Sequence, residues 1–358
     1  MFTMLGFDKL PRWLVYEIAV PLTCLNLWLF YKIFQTFQTP FTILIVATLL
    51  SFLLGYPIRQ IEKFGIQSGF SIVLILLITL SLLGVLGFNL LPILLQQLRE
   101  LSDRLPVWLD SGSQQFQALD TWLAARHVPL NVTAIATKLT QMLPNEVADL
   151  PNQAAEIILG IADRLVEVLI TIVFTLYLLL HGEKFWNGLL RWLPGEVGNQ
   201  VRIAFQEQFR SYFIGQFTIA LLMATALTIA FFILKIPYWL VFGTSIGLLA
   251  LIPFGDTIGI FTSAVIISFK SVILGGELAI VALIIDQVVD NAVTPKILGN
   301  LIGLNPIWIL LSLLIGSQLA GVLGLILAVP LAGSLKRIFE ELMQTQATLP
   351  LEQQGDEL

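Results

Sequence analysis

Charge is scarce in this chain. Of its 358 residues only 12% are Asp, Glu, Lys or Arg, about half the fraction found in an ordinary soluble domain. No block of Lys and Arg is dense enough to follow a phosphate backbone, so nucleic acid is excluded as a partner. Cysteine is nearly absent as well: Cys24 stands alone, which rules out an intramolecular disulfide. The two histidines, His127 and His181, have neither Cys nor paired carboxylates around them at ligand spacing, so no metal site is expected. No Walker motif occurs, so nucleotide hydrolysis is not expected to drive the protein, and no cofactor is expected.

What remains is apolar. Hydrophobic residues make up 57% of the chain, and they cluster in runs of the roughly 20 residues that a helix needs to cross a hydrocarbon core. The expected fold class is an all-α polytopic membrane protein with about eight hydrophobic spans. Lys9 and Arg12 precede the first run, Trp13 to Phe34, which is longer than a signal-peptide core and lacks a small-x-small cleavage pattern, so it is read as a retained span. Further spans are expected at Pro40 to Pro57, Ser68 to about Leu95, about Ala154 to Leu180, Ser211 to Leu234 and Val272 to Asp290. Two segments, Tyr238 to Phe269 and Leu304 to Leu335, are too long for a simple span. Each is interrupted near its middle, by Ile252 to Gly259 and by Gly316 to Gly324. A pair of interrupted apolar segments in one half of a chain points to broken helices around a substrate site. Each is expected to be either a kinked crossing or a re-entrant hairpin.

Between residues 96 and 156 the pattern changes to amphipathic helices. Leu98, Leu101, Leu105, Trp108 and Leu109 fall at three- and four-residue steps, and Ser111-Gly112, Pro129 and Pro144 are expected to break the helices. This gives four regions: spans 1–3 in residues 1–95, an extracytoplasmic amphipathic module in 96–156, a transport core in 157–342, and a disordered polar tail in 343–358. The module's stripes are expected to pack on one another or between subunits. Asp163, Arg164 and Glu167 are expected to form an internal salt-bridged stretch. The segment His181 to Arg210, with its Trp and basic residues, is expected to lie at headgroup level.

Lys and Arg placement sets the orientation. With eight crossings and the N-terminus inside, the inner segments carry eleven Lys or Arg and the short outer loops carry Lys32, Lys235 and Lys296, which predicts cytoplasmic N- and C-termini. Making both interrupted segments hairpins exchanges the sides of Lys270 and Lys296 and leaves that tally unchanged.

The polar residues inside the apolar runs are the candidate site. Asp286 and Asp290 stand four apart, which puts both on one helix face, with Gln287 and Asn291 between and beyond them. Acids in a membrane helix are costly and face a partner or a cavity, and two neighbouring carboxyls can share a proton and exchange it for Na⁺. Asp256 follows Pro253 and Gly255 in a break that frees backbone groups for a ligand. Gln318 sits in the second break. Gln216 is expected to hydrogen-bond across helices. Gly255, Gly259, Pro295, Pro306, Gly316, Gly321, Gly324 and Pro330 are expected to serve packing or hinge roles.

Four stretches carry a family resemblance: Phe174 to Pro194, Phe209 to Gln216, Leu248 to Gly259, and Asp286 to Gly333. The last keeps Pro295, Leu304, Pro306, Gly316, Gly321, Gly324 and Pro330 in register over nearly fifty residues. In these stretches the chain resembles the AI-2E family of transporters, the autoinducer-2 exporter-like permeases. It departs from the family pattern after Pro253, where Phe254-Gly255-Asp256 replaces an aromatic, an aliphatic and Gly-Pro. The resemblance implies export of a small polar solute such as an autoinducer-2-like signal, or Na⁺/H⁺ exchange, by a homo-oligomer in a bacterial inner membrane. The expected function is thus a secondary permease or exporter whose partners are the lipid bilayer, a small polar solute, and H⁺ or Na⁺. The alternatives are a cation/proton antiporter and a non-transporting assembly or tethering protein. An enzyme is not expected: Phe254-Gly255-Asp256 and Pro330-Leu331-Ala332 share only fragments with intramembrane aspartyl proteases.

Overall fold

The computed structural model describes residues 35–126, 132–189, 195–297 and 304–347, with scattered positions between 21 and 33. Most of the first expected span, Cys24, His127 and residues 348–358 lie outside the described residues. No β-strand occurs among those described. The helices are α1 (Gln38–Glu62), α2 (Ser68–Ala125), α3 (Val132–Asp163), α4 (Leu165–Leu189), α5 (Gly195–Ile233), α6 (Trp239–Leu249), α7 (Gly255–Lys270), α8 (Val272–Val288), a π-helical turn (Val289–Val293), α9 (Thr294–Ile297) and α10 (Pro306–Ala347). Six stretches of them are long and apolar enough to cross a membrane: Gln38–Glu62, Ser68–Gly112, Leu165–Gly188, Phe205–Ile233, Val272–Ile297 and Pro306–Ile338. The chain is a multi-pass membrane protein. Its outward face is consistent with that, since Leu83, Phe88, Ile157, Val166, Ile233 and Phe261 are all well exposed.

Both interrupted segments fold back on themselves. In the first, α6 and α7 are joined by a turn at 250–254 whose Phe254 has φ 66°. Gly255 is buried against the Leu249 carbonyl, and a Cβ on Gly259 would come within 3.3 Å of the Ile246 Cα, which fixes the two helices side by side. In the second, α10 is broken at Ala320 (φ −139°) and Gly321 (φ 58°, ψ −133°), a conformation that glycine adopts without steric cost. A Cβ on Gly316 would fall on the Gly324 carbonyl and 3.1 Å from the Ala328 Cβ. In a straight helix residues 316 and 328 would stand about 18 Å apart along the axis. Arms of 11 residues (α6) and 16 residues (α7) reach about 16 and 24 Å, short of a hydrocarbon core about 30 Å thick. The hairpin alternative therefore holds for both segments, and the straight-crossing arrangement does not.

This fixes which ends share a side. Helix α5 packs lengthwise on α6, with Thr228 and Ala224 against Gly243 and Gly247, and α7 turns into α8 at Ser271, with Gly275 against Ser268 and Ala264. Lys235 and Lys270 consequently lie at the same end, and Lys296 lies at the other with Arg337, which pairs with Glu207 of α5 at 3.2 Å.

The amphipathic module docks at the Lys270 end. Its stripe of Leu98, Leu101, Leu105, Trp108 and Leu109 is buried, and α2 packs on the module's own second helix α3, whose Val147 joins the same cluster, as expected from sequence. It packs as well on the open end of the α6/α7 hairpin, a contact not expected from sequence. Gln97 Oε1 accepts from the Leu240 and Val241 N–H groups at 3.2 and 3.4 Å, satisfying first-turn donors of α6 that have no partner inside their own helix. Trp108 meets the Tyr238 ring at 5.7 Å, and the Lys270 Nζ sits 5.6 Å over the Trp108 ring. A Cβ on Gly112 would collide with the Phe269 backbone.

Several local expectations are corrected. Helix α2 is continuous through Pro92, Pro106 and Ser111-Gly112, because the buried stripe holds both sides of Pro106 and the hydroxyl of Ser111 donates to its own helix. Helix α3 runs through Pro144. The helical run lapses only at Arg164, between α3 and α4, where the Arg164 and Val168 N–H groups still donate to the Gly160 and Arg164 carbonyls at 3.0 Å, and Asp163, Arg164 and Glu167 form no ion pair with one another. Helix α10 extends through Ala347, five residues into the segment expected to be a disordered tail.

The fold-back makes a labelling prediction. In a Cys24→Ser background, Lys235→Cys and Lys270→Cys should react with a membrane-impermeant thiol reagent from the same side as Gln115→Cys, and Lys296→Cys from the opposite side. Labelling of positions 235 and 270 from opposite sides would mean that residues 238–269 cross the membrane.

Candidate functional site

The tip of the α6/α7 hairpin brings the three acids together. Asp256 is the second residue of α7, in the first turn, where the helix dipole favours a negative charge, and its Oδ1 accepts from the Thr257 N–H at 2.7 Å. Asp286 lies near the end of α8 and is buried, 6% exposed. The carboxyls of Asp256 and Asp290 lie near enough for their charges to reach it. Asp290 feels Asp256 in turn and has Thr294 Oγ1 at 3.5 Å. The site therefore gathers three carboxyls, two of them from one helix and one from the hairpin tip.

Local backbone irregularity surrounds these groups. Asp290 and Asn291 fall inside the π-helical turn Val289–Val293, a distortion found often at functional sites. Phe254, a non-glycine residue in the left-handed region, precedes Gly255 and Asp256, and such outliers persist only where surrounding structure enforces them. Here Gly255 supplies that enforcement: with the Leu249 carbonyl where its Cβ would be, the turn closes tightly enough to aim Asp256 at α8.

The other sequence-derived candidates are distributed as follows. Gln287 and Asn291 face outward and bond to each other, the Asn291 Nδ2 donating to the Gln287 backbone O at 2.7 Å and to its Oε1 at 3.2 Å. Pro253 is half-buried in the hairpin turn. Gln318 is exposed, two residues before the second break, and no hydrogen bond ties it to the acids. Gly259, Gly316 and Gly324 are close-packing positions, and Gly321 supplies the left-handed turn. Pro306 opens α10, the position where a missing N–H costs least. Pro295 is exposed in α9, and Pro330 is buried in the returning arm, its carbonyl accepting from Ser334 at 2.7 Å. Among the described residues no group of three His, Cys, Asp or Glu is arranged to hold a metal ion.

Helix α5 carries what the sequence reading missed. Gln208, Tyr212 and Gln216 recur every four residues and so share one face. Gln216 Nε2 donates to the Ala250 carbonyl at the first hairpin's tip, as expected of helix-to-helix bonding. Gln208 is buried, and its Nε2 would meet a Cβ on Gly333 of the second hairpin's returning arm at 2.7 Å. Tyr212, between them, is fully buried, and its hydroxyl has no hydrogen-bond partner. One face of one helix thus touches both hairpins. The four-residue repeat of polar groups in an apolar helix was the available signal.

Against known proteins, residues 18–344 match the model of a family described as AI-2E family transporter. A protein of Synechocystis sp. strain PCC 6803, provisionally designated a transport protein, is 36% identical over 331 residues, covering 92% of this chain and 96% of its own. One from Bacillus subtilis strain 168 with the same kind of designation is 28% identical over 326 residues, covering 86% of each chain. A provisionally designated permease, PerM of Escherichia coli strain K12, is 24% identical over 304 residues, covering 82% of this chain and 85% of its own.

The Gln216 contact is testable on its own. Gln216→Leu leaves the buried Ala250 carbonyl without its donor, which should cost about 1–3 kcal/mol and lower the thermal unfolding midpoint in detergent. Thr218→Val, at an exposed position whose hydroxyl bonds only within its own helix, should leave the midpoint nearly unchanged.

Proposed function

The chain belongs to the AI-2E transporter family, and from that premise we propose that it is a secondary transporter moving a small polar solute, such as an autoinducer-2-like signal, outward across a bacterial inner membrane. The observation that carries this reading is the pair of helical hairpins opening toward opposite ends of the helix bundle, with Asp256, Asp286 and Asp290 gathered at the tip of one of them. Broken helices near mid-membrane are where secondary transporters hold solute and coupling ion. Backbone groups at the 250–254 turn and the carboxyls beside it would serve a polar solute's donors. A proton held among these neighbouring acids would supply a means of coupling, since solute or Na⁺ entering among them would displace it.

Coupling to H⁺ or Na⁺ follows from the same acids, and a cation/proton antiporter is the second reading, favoured by the Asp256–Asp286 contact. Assembly as a homo-oligomer and cytoplasmic N- and C-termini accompany both readings. The latter is supported by the Lys and Arg tally, which remains eleven against three with Lys270 and Lys296 exchanged.

Reconstituted into liposomes under a pH or Na⁺ gradient, the protein should drive coupled solute or cation flux. Asp286→Asn with Asp290→Asn should lower that flux by roughly tenfold or more, with the thermal midpoint retained. Undiminished coupled flux in the double variant would overturn the role given to the acids.

A further inference from the structure

A cavity of about 760 Å³ lies away from the acids, at the Lys296 end of the molecule, among α1, the start of α2, the end of α4 and the start of α5. Its lining is divided by chemistry. Phe52, Ile58 and Ile72 form an apolar floor, continuous with a small hydrophobic cluster in which Ile58, Ile72 and Ile75 are buried apart from the main core. Arg59, Lys184 and Arg210 bring three cations to the wall, and Glu62 and Glu183 bring two carboxylates; none of the five is in an ion pair among the described residues. Glu207, a third acid on the wall, is occupied by Arg337 at 3.2 Å.

Two further observations mark this cavity as built for a ligand. The backbone of α4 leaves helical geometry at His181 (φ −131°, ψ 18°), a lining residue. The His181 ring lies tilted against Tyr177 at 4.9 Å, while its Nδ1 is buried and has no hydrogen-bond partner. Trp186, also in the lining, meets Phe205 at 5.5 Å and caps the cavity with an aromatic of the kind that sits at headgroup level.

We propose that this cavity binds the phosphoethanolamine headgroup of a membrane phospholipid, between the α1/α2/α4 group and α5. The phosphate meets Arg59, Lys184 and Arg210, the ammonium donates to Glu62 and Glu183, and the acyl chains run along the Phe52 and Ile58 floor. Cations and carboxylates on one wall suit a zwitterion better than a purely anionic head. Carboxylates as acceptors favour a primary ammonium, which has three N–H donors, over a choline group, which has none. The site is independent of the transport reading, because binding is measured without flux.

The test is native mass spectrometry of the full-length protein released from detergent containing phosphatidylethanolamine or phosphatidylcholine, with free phosphoethanolamine and inorganic phosphate as separate arms. The expected result is one phosphatidylethanolamine retained per chain. Retention should fall roughly tenfold in Arg59→Gln with Arg210→Gln, be kept in Arg59→Lys with Arg210→Lys, and be unaffected by Lys235→Gln at the far end. Lys184→Gln, at an exposed position, carries the same test if the double variant does not fold. Binding of free phosphoethanolamine or phosphate with the same dependence on these residues would retain the phosphate site and assign it a soluble ligand. Equal retention of the two lipids, or retention indifferent to the arginines and Lys184, would overturn the proposal.

Discussion

The architecture depends on the close approach of backbone to backbone within single apolar segments. At Gly316 and Gly324, and again at Gly255 against Leu249, there is no room for a side chain, and in that space two helical arms lie together that would otherwise extend end to end. Lipid offers apolar surface as readily as protein does, so association of apolar helices inside a membrane rests on van der Waals packing and hydrogen bonding, which small residues permit. The same device joins α5 to α6 through Gly243 and Gly247, and α7 to α8 through Gly275. Once the segments fold back, their ends, their tips and the polar groups carried there are fixed.

The acids gain their meaning from this folding. Asp286 and Asp290 would line one face of a helix in any arrangement, but Asp256 reaches them only because the α6/α7 hairpin stops inside the bundle and starts α7 with its N-terminus beside α8. The module makes that hairpin a supported element: Gln97 caps α6, while Trp108 and Gly112 receive Tyr238, Lys270 and Phe269. The later part of α2 thus braces the element that carries a site acid. A displacement of the module would be felt at the hairpin's open end directly, through these contacts.

Much of this was legible in the sequence. Hydropathy located the spans among the described residues, and the helical stripe from Leu98 to Leu109 was read correctly as a buried face. The two interrupted segments and Asp256, Asp286 and Asp290 were all visible as polar or breaking residues in apolar runs. What the sequence left open was whether Gly316 to Gly324 bends a helix or reverses it, since φ at Gly321 is a matter of packing and both outcomes give the same Lys and Arg tally. Packing of the module's helices on one another was foreseen, but the stripe's further contact with the α6/α7 hairpin was missed, because periodicity reports that a face is buried and not everything it is buried against. Ser-Gly misled at Ser111-Gly112 because packing on either side outweighs a local tendency to break, and proline misled at Pro144, through which α3 continues. The polar face of α5 went unremarked beyond Gln216 because a tyrosine in an apolar helix looks like core until its hydroxyl is found without a partner.

The central claim is that residues 304–335 form a hairpin and not a crossing. Spin labels at Leu311→Cys and Leu331→Cys, both exposed positions, in a Cys24→Ser background diluted with unlabelled protein, test it by their dipolar distance. Paired arms place the two backbones about 10 Å apart, the spacing of packed helices, so a short distance is predicted. A straight helix would separate them by about 30 Å, and a distribution centred there would contradict the account.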